Sequence, residues 1–316
     1  MAVIIAGGVA WAQLDTTILP DITLAAHSNA SNWAAMSPDG LLLATCGDDG
    51  AVKIWKYEDF SLLKTLSTPS IKKEAAEFFP NDEFIAEAGA NGKVNIRKAA
   101  NAFSLTRVLT ASGPVTGLAL SPDGAYLAAA SGKTIKLWRM KDYFLRELRG
   151  PGDEILAIAI GADSRFLVCA SADQYVYVYN LTNKQLAAKY HEEAYPCTAI
   201  AISGDSVDIA YGDYTGRLTI RNRETQSIIR TFIAHPRYVS ACAVSPDNKY
   251  LVSASMAGDI KIWKVGVFGL LKTLQGQSGG VLHLSFTTDG QYLISSGGDG
   301  TIQFWDLNRI LARGSL

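Results

Sequence analysis

One position recurs along this chain at an almost constant interval, and this repeat limits the possible fold more than any other feature. Traced backwards from residue 305, it is occupied seven times, at steps of 41 or 42 residues. Its occupants are Trp305, Trp263, Arg221, Tyr179, Trp138, Arg97 and Trp55. An acid or amide recurs in register with it, at Asp39, Asn81, Asp123, Asp163, Asp205, Asp247 and Asp289. A period of this length, with several short strands in each copy, is typical of propeller blades.

The clearest copy runs from Thr287 to Asp306 and has the pattern of an antiparallel meander. Asp289 and Gly290 favour a tight turn, because an aspartate side chain bonds to nearby backbone and glycine accepts a positive φ. Residues 291–295 and 301–305 have the composition of short strands, separated by a glycine-rich turn, and residues 281–286 supply a third strand. We therefore predict an all-β fold, a seven-bladed β-propeller of four-stranded antiparallel blades.

The repeat resembles the WD-repeat family over about residues 18 to 306. The residues that carry the resemblance are the turns Ser37–Gly40 and Ser121–Gly124, the near copy Ser245–Asn248, the turn at Asp299, and the pair Trp305-Asp306. In that family the N-terminal strand completes the last blade and protects an open sheet edge. The resemblance implies that residues 17–24 close the ring here, and residues 307–316 are the alternative.

The resemblance also implies a buried, hydrogen-bonded tetrad of side chains within a blade. Buried imidazole, carboxylate and indole groups are costly unless they satisfy one another. The complete tetrad would lie in the first repeat, and partial tetrads in the seventh and sixth. These sets are His27, Thr45, Asp49 and Trp55; Ser295, Asp299 and Trp305; and His235, Ser253 and Trp263. Gln277 occupies the histidine position of the seventh repeat and Ala257 the acid position of the sixth, so we expect both networks to be incomplete.

We predict that residues 13–316 form a single propeller domain. Residues 1–12 are apolar and end in Ala10-Trp11-Ala12, a pattern that resembles the end of an export signal. The alternative is a frayed apolar end of the propeller. The segment is too short to span a bilayer, and we favour an exported protein, periplasmic or secreted, over a cytoplasmic one.

Charge and motifs argue against several classes of function. The chain has 29 Lys and Arg against 30 Asp and Glu, a net charge of −1, which gives no bulk attraction for nucleic acid. No catalytic, cofactor-binding or metal-binding pattern is present in the sequence. We therefore predict no cofactor and a non-enzymatic, monomeric propeller that acts as a scaffold for a protein or peptide partner.

One face of the propeller is the predicted partner face. In the WD-repeat family the loops that enter the innermost strand share a face with the loops between the second and third strands, and they often bind partners. The resemblance implies that seven residues meet there: Asp48, Lys72, Glu154, Tyr214, Arg237, Tyr238 and Met256. Tyrosine, arginine and methionine are enriched at protein interfaces.

The alternative function is an enzyme or small-ligand binder that uses the mouth of the central channel. It depends on His283, which alternates with Leu282 and Leu284 on a predicted innermost strand. We interpret His283 as a structural histidine with satisfied hydrogen bonds. Convergent polar groups around it in a closed pocket would instead favour the alternative.

Overall fold

The computed structural model describes residues 18–67, 71–191 and 195–312. Within these ranges the chain forms seven four-stranded antiparallel sheets, arranged as the blades of a propeller. The prediction of an all-β, seven-bladed fold is confirmed. The predictions for residues 1–12 concern a segment outside the described residues.

The strands follow one another from the central channel to the rim of each blade. The first strand, β1 (Ile22–Ala25), belongs to the last blade. Blades 1 to 3 contain β2 (Ser31–Met36), β3 (Leu42–Gly47), β4 (Ala51–Lys56) and β5 (Leu62–Ser67); β6 (Lys73–Phe78), β7 (Phe84–Gly89), β8 (Lys93–Lys98) and β9 (Ser104–Thr110); and β10 (Gly117–Leu120), β11 (Tyr126–Ser131), β12 (Thr134–Arg139) and β13 (Phe144–Leu148).

The remaining blades repeat this order. Blades 4 to 6 contain β14 (Ile155–Ile160), β15 (Phe166–Ser171), β16 (Tyr175–Asn180) and β17 (Gln185–His191); β18 (Cys197–Ile202), β19 (Asp208–Asp213), β20 (Arg217–Asn222) and β21 (Ile228–Ile233); and β22 (Val239–Val244), β23 (Tyr250–Ser255), β24 (Asp259–Lys264) and β25 (Gly269–Gln275). Blade 7 contains β26 (Val281–Phe286), β27 (Tyr292–Gly297), β28 (Thr301–Asp306) and β1. A short 3-10 turn, Ala99–Asn101, and the helix α1 (Leu307–Ala312) complete the elements.

The N-terminal strand closes the ring, as predicted. β1 pairs antiparallel with β28, with Ile22 opposite Phe304. The helix α1 follows β28 and lies against the same edge, where Arg309 Nη2 donates to Asp21 Oδ2 at 2.8 Å and to the Leu19 carbonyl at 3.0 Å. The C-terminal residues 307–312 therefore form a helix that supports the closing strand instead of replacing it.

The repeated aromatic position lies between neighbouring blades. Trp305 is fully buried and belongs to a core cluster with Ile260 and Ile262 of blade 6. Trp138 of blade 3 packs in the same way with Val94 and Ile96 of blade 2. Stacked sheets bury apolar side chains from both inner faces, so each aromatic residue joins its blade to the preceding one.

A bulge at the start of the inner strands determines which residues approach the propeller axis. The pairing register shifts between the first and third residues of β2, β6, β14, β18, β22 and β26. After the shift, Trp33 of β2 lies opposite Cys46, and His283 of β26 lies opposite Ser296. Such a bulge bends the strand and re-aims its side chains.

The described residues contain no helix that is long and apolar enough to cross a membrane.

Candidate functional site

The structure brings the four residues of the first-repeat tetrad together. His27 Nδ1 lies 2.9 Å from Asp49 Oδ1, and His27 Nε2 lies 2.9 Å from Thr45 Oγ1. Trp55 Nε1 donates to the same hydroxyl at 3.0 Å. Burial lowers the pKa of His27, partly opposed by Asp49, so the imidazole is neutral at pH 7. A neutral ring that donates from Nδ1 to Asp49 accepts the Thr45 hydroxyl proton at Nε2, and all polar groups are satisfied.

The sixth repeat has a complete tetrad, and the expectation that it lacks an acid is wrong. His235 Nε2 lies 2.8 Å from Ser253 Oγ, and Trp263 Nε1 donates to that oxygen at 2.9 Å. Asp259, the first residue of β24, places Oδ2 2.5 Å from His235 Nδ1. The acid therefore comes from a position two residues after Ala257. Burial opposes ionisation of Asp259, but bonds with His235 and Ser255 outweigh it and lower its pKa to about 2.

Removing this acid is expected to destabilise the propeller. Asp259→Ala leaves buried His235 Nδ1 without its partner, which typically costs about 1–3 kcal/mol of unfolding free energy. Urea unfolding followed by circular dichroism measures the change. The matched control is Asp153→Ala, because Asp153 and Lys133 form a 3.8 Å pair with side chains about 60% exposed. Equal effects of the two substitutions would contradict a structural role for Asp259.

The seventh repeat uses an amide in place of the histidine. Gln277 Nε2 donates to the Ser295 carbonyl at 2.8 Å, while Trp305 Nε1 donates to Ser295 Oγ at 3.0 Å. Asp299 does not reach this group and instead accepts from the backbone N–H of Ser278 at 3.0 Å. The network is therefore divided into two parts, as the missing histidine predicts.

The second repeat replaces the tetrad by a buried ionic cluster. Glu87 occupies the position of Thr45, and Lys73 Nζ lies 2.6 Å from its Oε2. Arg97 occupies the repeated aromatic position, and its Nε donates to Glu87 Oε1 at 2.7 Å. Lys73 and Glu87 are both 1% exposed. Burial opposes ionisation of Glu87, but Lys73 and Arg97 outweigh it and hold its pKa below the usual range.

The fifth repeat pairs an arginine with a phenol. Arg221 Nε donates to the Tyr211 hydroxyl at 3.1 Å, and Tyr211 again occupies the position of Thr45. The guanidinium of Arg221 also lies over the ring of Tyr190, 4.6 Å from the ring centroid. Each arginine that interrupts the aromatic repeat therefore has a hydrogen-bond partner within its own blade, and Arg221 also contacts blade 4 through Tyr190.

All seven residues of the predicted partner face lie on the same side of the propeller. Strand pairing explains this, because the first residue of an inner strand lies opposite the last residue of the next strand, as Ser31 does opposite Gly47. Loops that enter the inner strands and loops after the second strands therefore share one face. We call this side the loop face. It carries Asp48, Lys72, Glu154, Tyr214, Arg237, Tyr238 and Met256.

The loop face contains two separate groups of these residues. Near blades 1 and 2, Lys72 Nζ lies 3.3 Å from Asp48 and 3.4 Å from Glu74. Near blades 5 and 6, the rings of Tyr214 and Tyr238 are in contact, with centroids 4.8 Å apart. Glu154 is exposed on the blade 4 side and joins neither group.

The tyrosine pair extends into an exposed apolar and basic patch. Tyr214 and Met256 are each 46% exposed, and Arg237 is exposed next to half-buried Tyr238. The Tyr238 backbone N–H donates to the Tyr214 carbonyl at 3.0 Å, which holds the two loops together. We call Tyr214, Arg237, Tyr238 and Met256 the tyrosine patch. This patch presents the aromatic surface of two tyrosines with the positive charge of Arg237 beside it.

The central channel, whose mouth is the alternative site predicted from the sequence through His283, has a defined chemistry. It encloses about 760 Å³ and opens on the loop face beside Asp48 and Met256. His283 stacks on Trp33, with ring centroids 3.7 Å apart and planes at 20°. His283 Nδ1 has no hydrogen-bond partner among the described residues, so the interpretation of a satisfied structural histidine does not match the geometry.

Within the described residues, no group of three or more His, Cys, Asp or Glu side chains is placed to hold a metal ion. Aspartates in the turns between the second and third strands, such as Asp49 and Asp299, lie in different blades. Their oxygens accept hydrogen bonds from their own turns, as Asp299 Oδ1 does from the Thr301 hydroxyl. These side chains therefore serve the turns.

Curated relatives cover most of this chain at low identity. The Periodic tryptophan protein 2 homolog of Dictyostelium discoideum is 21% identical over 81% of the chain, which spans 28% of that protein. The Target of rapamycin complex subunit wat1 of Schizosaccharomyces pombe is 25% identical over 71% of the chain and 74% of its own length. The Target of rapamycin complex subunit LST8 of Bos taurus is 23% identical over 75% of the chain and 76% of its own length.

The family model described as "WD domain, G-beta repeat" matches five segments. They are residues 20–56, 103–139, 143–180, 226–264 and 268–306. The two repeats that it leaves out end at Arg97 and Arg221, where the ionic cluster and the arginine–phenol pair replace the tetrad. The matched segments make up more than half of the sequence. The chain belongs to the WD-repeat β-propeller family.

Proposed function

We propose that this propeller is a non-enzymatic scaffold that binds a protein or peptide partner through the tyrosine patch on its loop face. The observation that carries the proposal is the contact between Tyr214 and Tyr238 beside exposed Arg237 and Met256. Tyrosine and arginine are, with tryptophan, the residue types enriched in interface hot spots, and methionine is enriched at interfaces.

The rigidity of the patch supports this proposal. Its four residues lie in loops anchored by β19, β20, β22 and β23, and a backbone hydrogen bond joins the loops across two blades. A partner that binds a preorganised surface loses less entropy on ordering it. Two relatives, wat1 and LST8, are by name subunits of a complex, which favours a protein partner for this chain as well.

Loss of the tyrosine patch is expected to abolish partner capture without unfolding the propeller. The double variant Tyr214→Ala/Tyr238→Ala removes both rings, and truncation of hot-spot aromatics weakens binding by about tenfold or more. The measurement is quantitative affinity capture with the intact propeller as bait, together with a thermal melt of each bait.

Two further baits make the result specific. Tyr214→Ala alone removes the more exposed ring and should weaken capture with little change in melting. Leu41→Ala is the matched control, because Leu41 is 66% exposed in the turn between β2 and β3, on the opposite face. Proteins retained by wild type and Leu41→Ala but lost from both tyrosine variants are the partner. An identical set from all four baits would reject this face.

A further inference from the structure

The central channel is wide because most of the residues that could fill it are small. Trp33 and His283 are the third residues of their inner strands. The corresponding residues of blades 3 to 6, which also line the channel, are Gly117, Ala157, Ala199 and Ala241. These four alanine or glycine positions leave the cavity of about 760 Å³, which is within the usual size range of small-molecule sites.

The wall of this cavity has two chemically different sides. Blades 3 to 5 contribute an aliphatic side, which includes Leu118, Leu156, Ile158 and Ile200. The adjoining blades 6, 7, 1 and 2 contribute the polar and aromatic side, which includes Ser240, His283, Trp33 and Glu77. An apolar body with a single polar end matches a cavity of this kind.

Polar groups on the second side lack partners within the protein. Ser240 Oγ and His283 Nδ1 make no hydrogen bond with any described residue. Glu77 makes no ion pair there, and the Trp33 indole is the polar group next to its carboxyl group. Buried polar groups are almost always paired, so unpaired groups around one cavity indicate a missing occupant or ordered water.

The sign of the charge in the channel selects the occupant. Asp48, Glu74 and Glu77 line the mouth and the interior, and Lys72 is the one basic side chain among the described lining residues. Lys72 is already shared between Asp48 and Glu74. The stacked His283 adds no positive charge, because burial lowers its pKa to about 3. The channel therefore favours a cation over an anion.

We propose that the channel binds a small amphiphilic organic cation, with its ammonium group paired to Glu77 and its apolar body against the aliphatic side of blades 3 to 5. The ammonium group supplies the charge partner that Glu77 lacks within the described residues. The site lies inside the ring and meets the tyrosine patch at Met256 alone, on the rim of the channel mouth, so it goes beyond the scaffold function.

Binding is expected to strengthen with pH. Burial raises the pKa of Glu77 to about 7, opposed in part by Trp33, and the ion pair needs the carboxylate. The ionised fraction of such a group rises about tenfold between pH 6 and pH 8, while an alkylammonium stays charged. Glu74, also raised in pKa by burial, and Lys72 and Asp48 face the mouth, so variants at position 77 are needed to assign the effect.

The test uses three probes with the same body: 4-phenylbutylamine, 4-phenylbutanol and 4-phenylbutyrate. Isothermal titration calorimetry with the whole chain at pH 6 and pH 8 should show the amine binding most tightly, with about tenfold higher affinity at pH 8. Glu77→Gln should weaken the amine about tenfold at pH 8 and remove the pH dependence. Glu83→Gln, an exposed acid of the same blade, should change nothing.

A second variant tests the shape of the channel, and three outcomes would overturn the proposal. Ala199→Leu narrows the channel from the aliphatic side, and thermal melts show whether it folds; a folded variant should bind all three probes less well. The proposal is overturned if none of the probes binds, which would mean a channel occupied by water only. It is equally overturned if amine, alcohol and acid bind alike, or if Glu77→Gln binds the amine as wild type does.

Discussion

Glu87→Ala is expected to lower the free energy of unfolding by about 3–5 kcal/mol, the typical cost of breaking a buried ion pair. The substitution leaves Lys73 charged and 1% exposed, with the nearest carboxylate removed. Arg97 loses its bond to Glu87 as well, although it keeps a contact of 3.3 Å to the Phe103 carbonyl. Urea unfolding of wild type and variant at pH 7 measures the loss.

The same blade provides a matched control for this prediction. Glu83 and Lys98 form an ion pair of 2.9 Å with side chains 43% and 36% exposed. Exposed pairs contribute about 0–1 kcal/mol, so Glu83→Ala should be almost neutral. The double variant Lys73→Met/Glu87→Leu removes the stranded charge and should recover most of the stability. If Glu87→Ala were as mild as Glu83→Ala, the cluster would be energetically unimportant.

Glu77→Gln is expected to change the free energy of unfolding more favourably at alkaline pH than at pH 5. The difference between the two effects is up to about 3 kcal/mol. The pKa of Glu77 is about 7 in the folded protein and 4.5 as the reference value. The folded state therefore binds the proton more tightly. The associated stability is fully present below pH 4.5 and is lost as pH rises through 7. Each pH unit between these values is worth about 1.36 kcal/mol, and glutamine avoids the loss.

Urea unfolding at pH 5 and pH 8.5 tests this difference. The stability contributed by His283 has the opposite pH dependence, because burial lowers the pKa of this histidine. That contribution is lost as pH falls from 6.5 toward 3. Both proteins contain His283, so its effect cancels when they are compared at one pH. Glu83→Gln serves as the exposed control. A stability difference that does not change with pH would show that Glu77 titrates normally.

The regular spacing of the repeat was sufficient to predict the architecture. A 41- or 42-residue period with turn acids in register specifies seven equivalent meanders, and the structure contains seven four-stranded blades. The ring closure by β1 followed from the family resemblance and is confirmed. Local turn chemistry and strand alternation act over a few residues, so both can be read from the sequence.

Side chains that meet across strands were predicted less well. Ala257 stood at the expected acid position of the sixth repeat, but Asp259 at the start of β24 reaches His235 by a different path. The repeat placed Arg97 at the aromatic position, but it did not predict the partners of Arg97, which are Glu87 and, through it, Lys73. These contacts depend on strand register and rotamer, which a spacing pattern does not specify.

The sequence by itself determined the number of blades and the order of strands within them, and the family resemblance predicted which loops share the loop face. Only the tertiary structure decided that Trp33, Glu77 and His283 come from three neighbouring blades to one side of the channel. The physical reason is the scale of each interaction. Turns and strands form from adjacent residues, but the channel exists only after a bulge re-aims the inner strands and seven blades close around an axis.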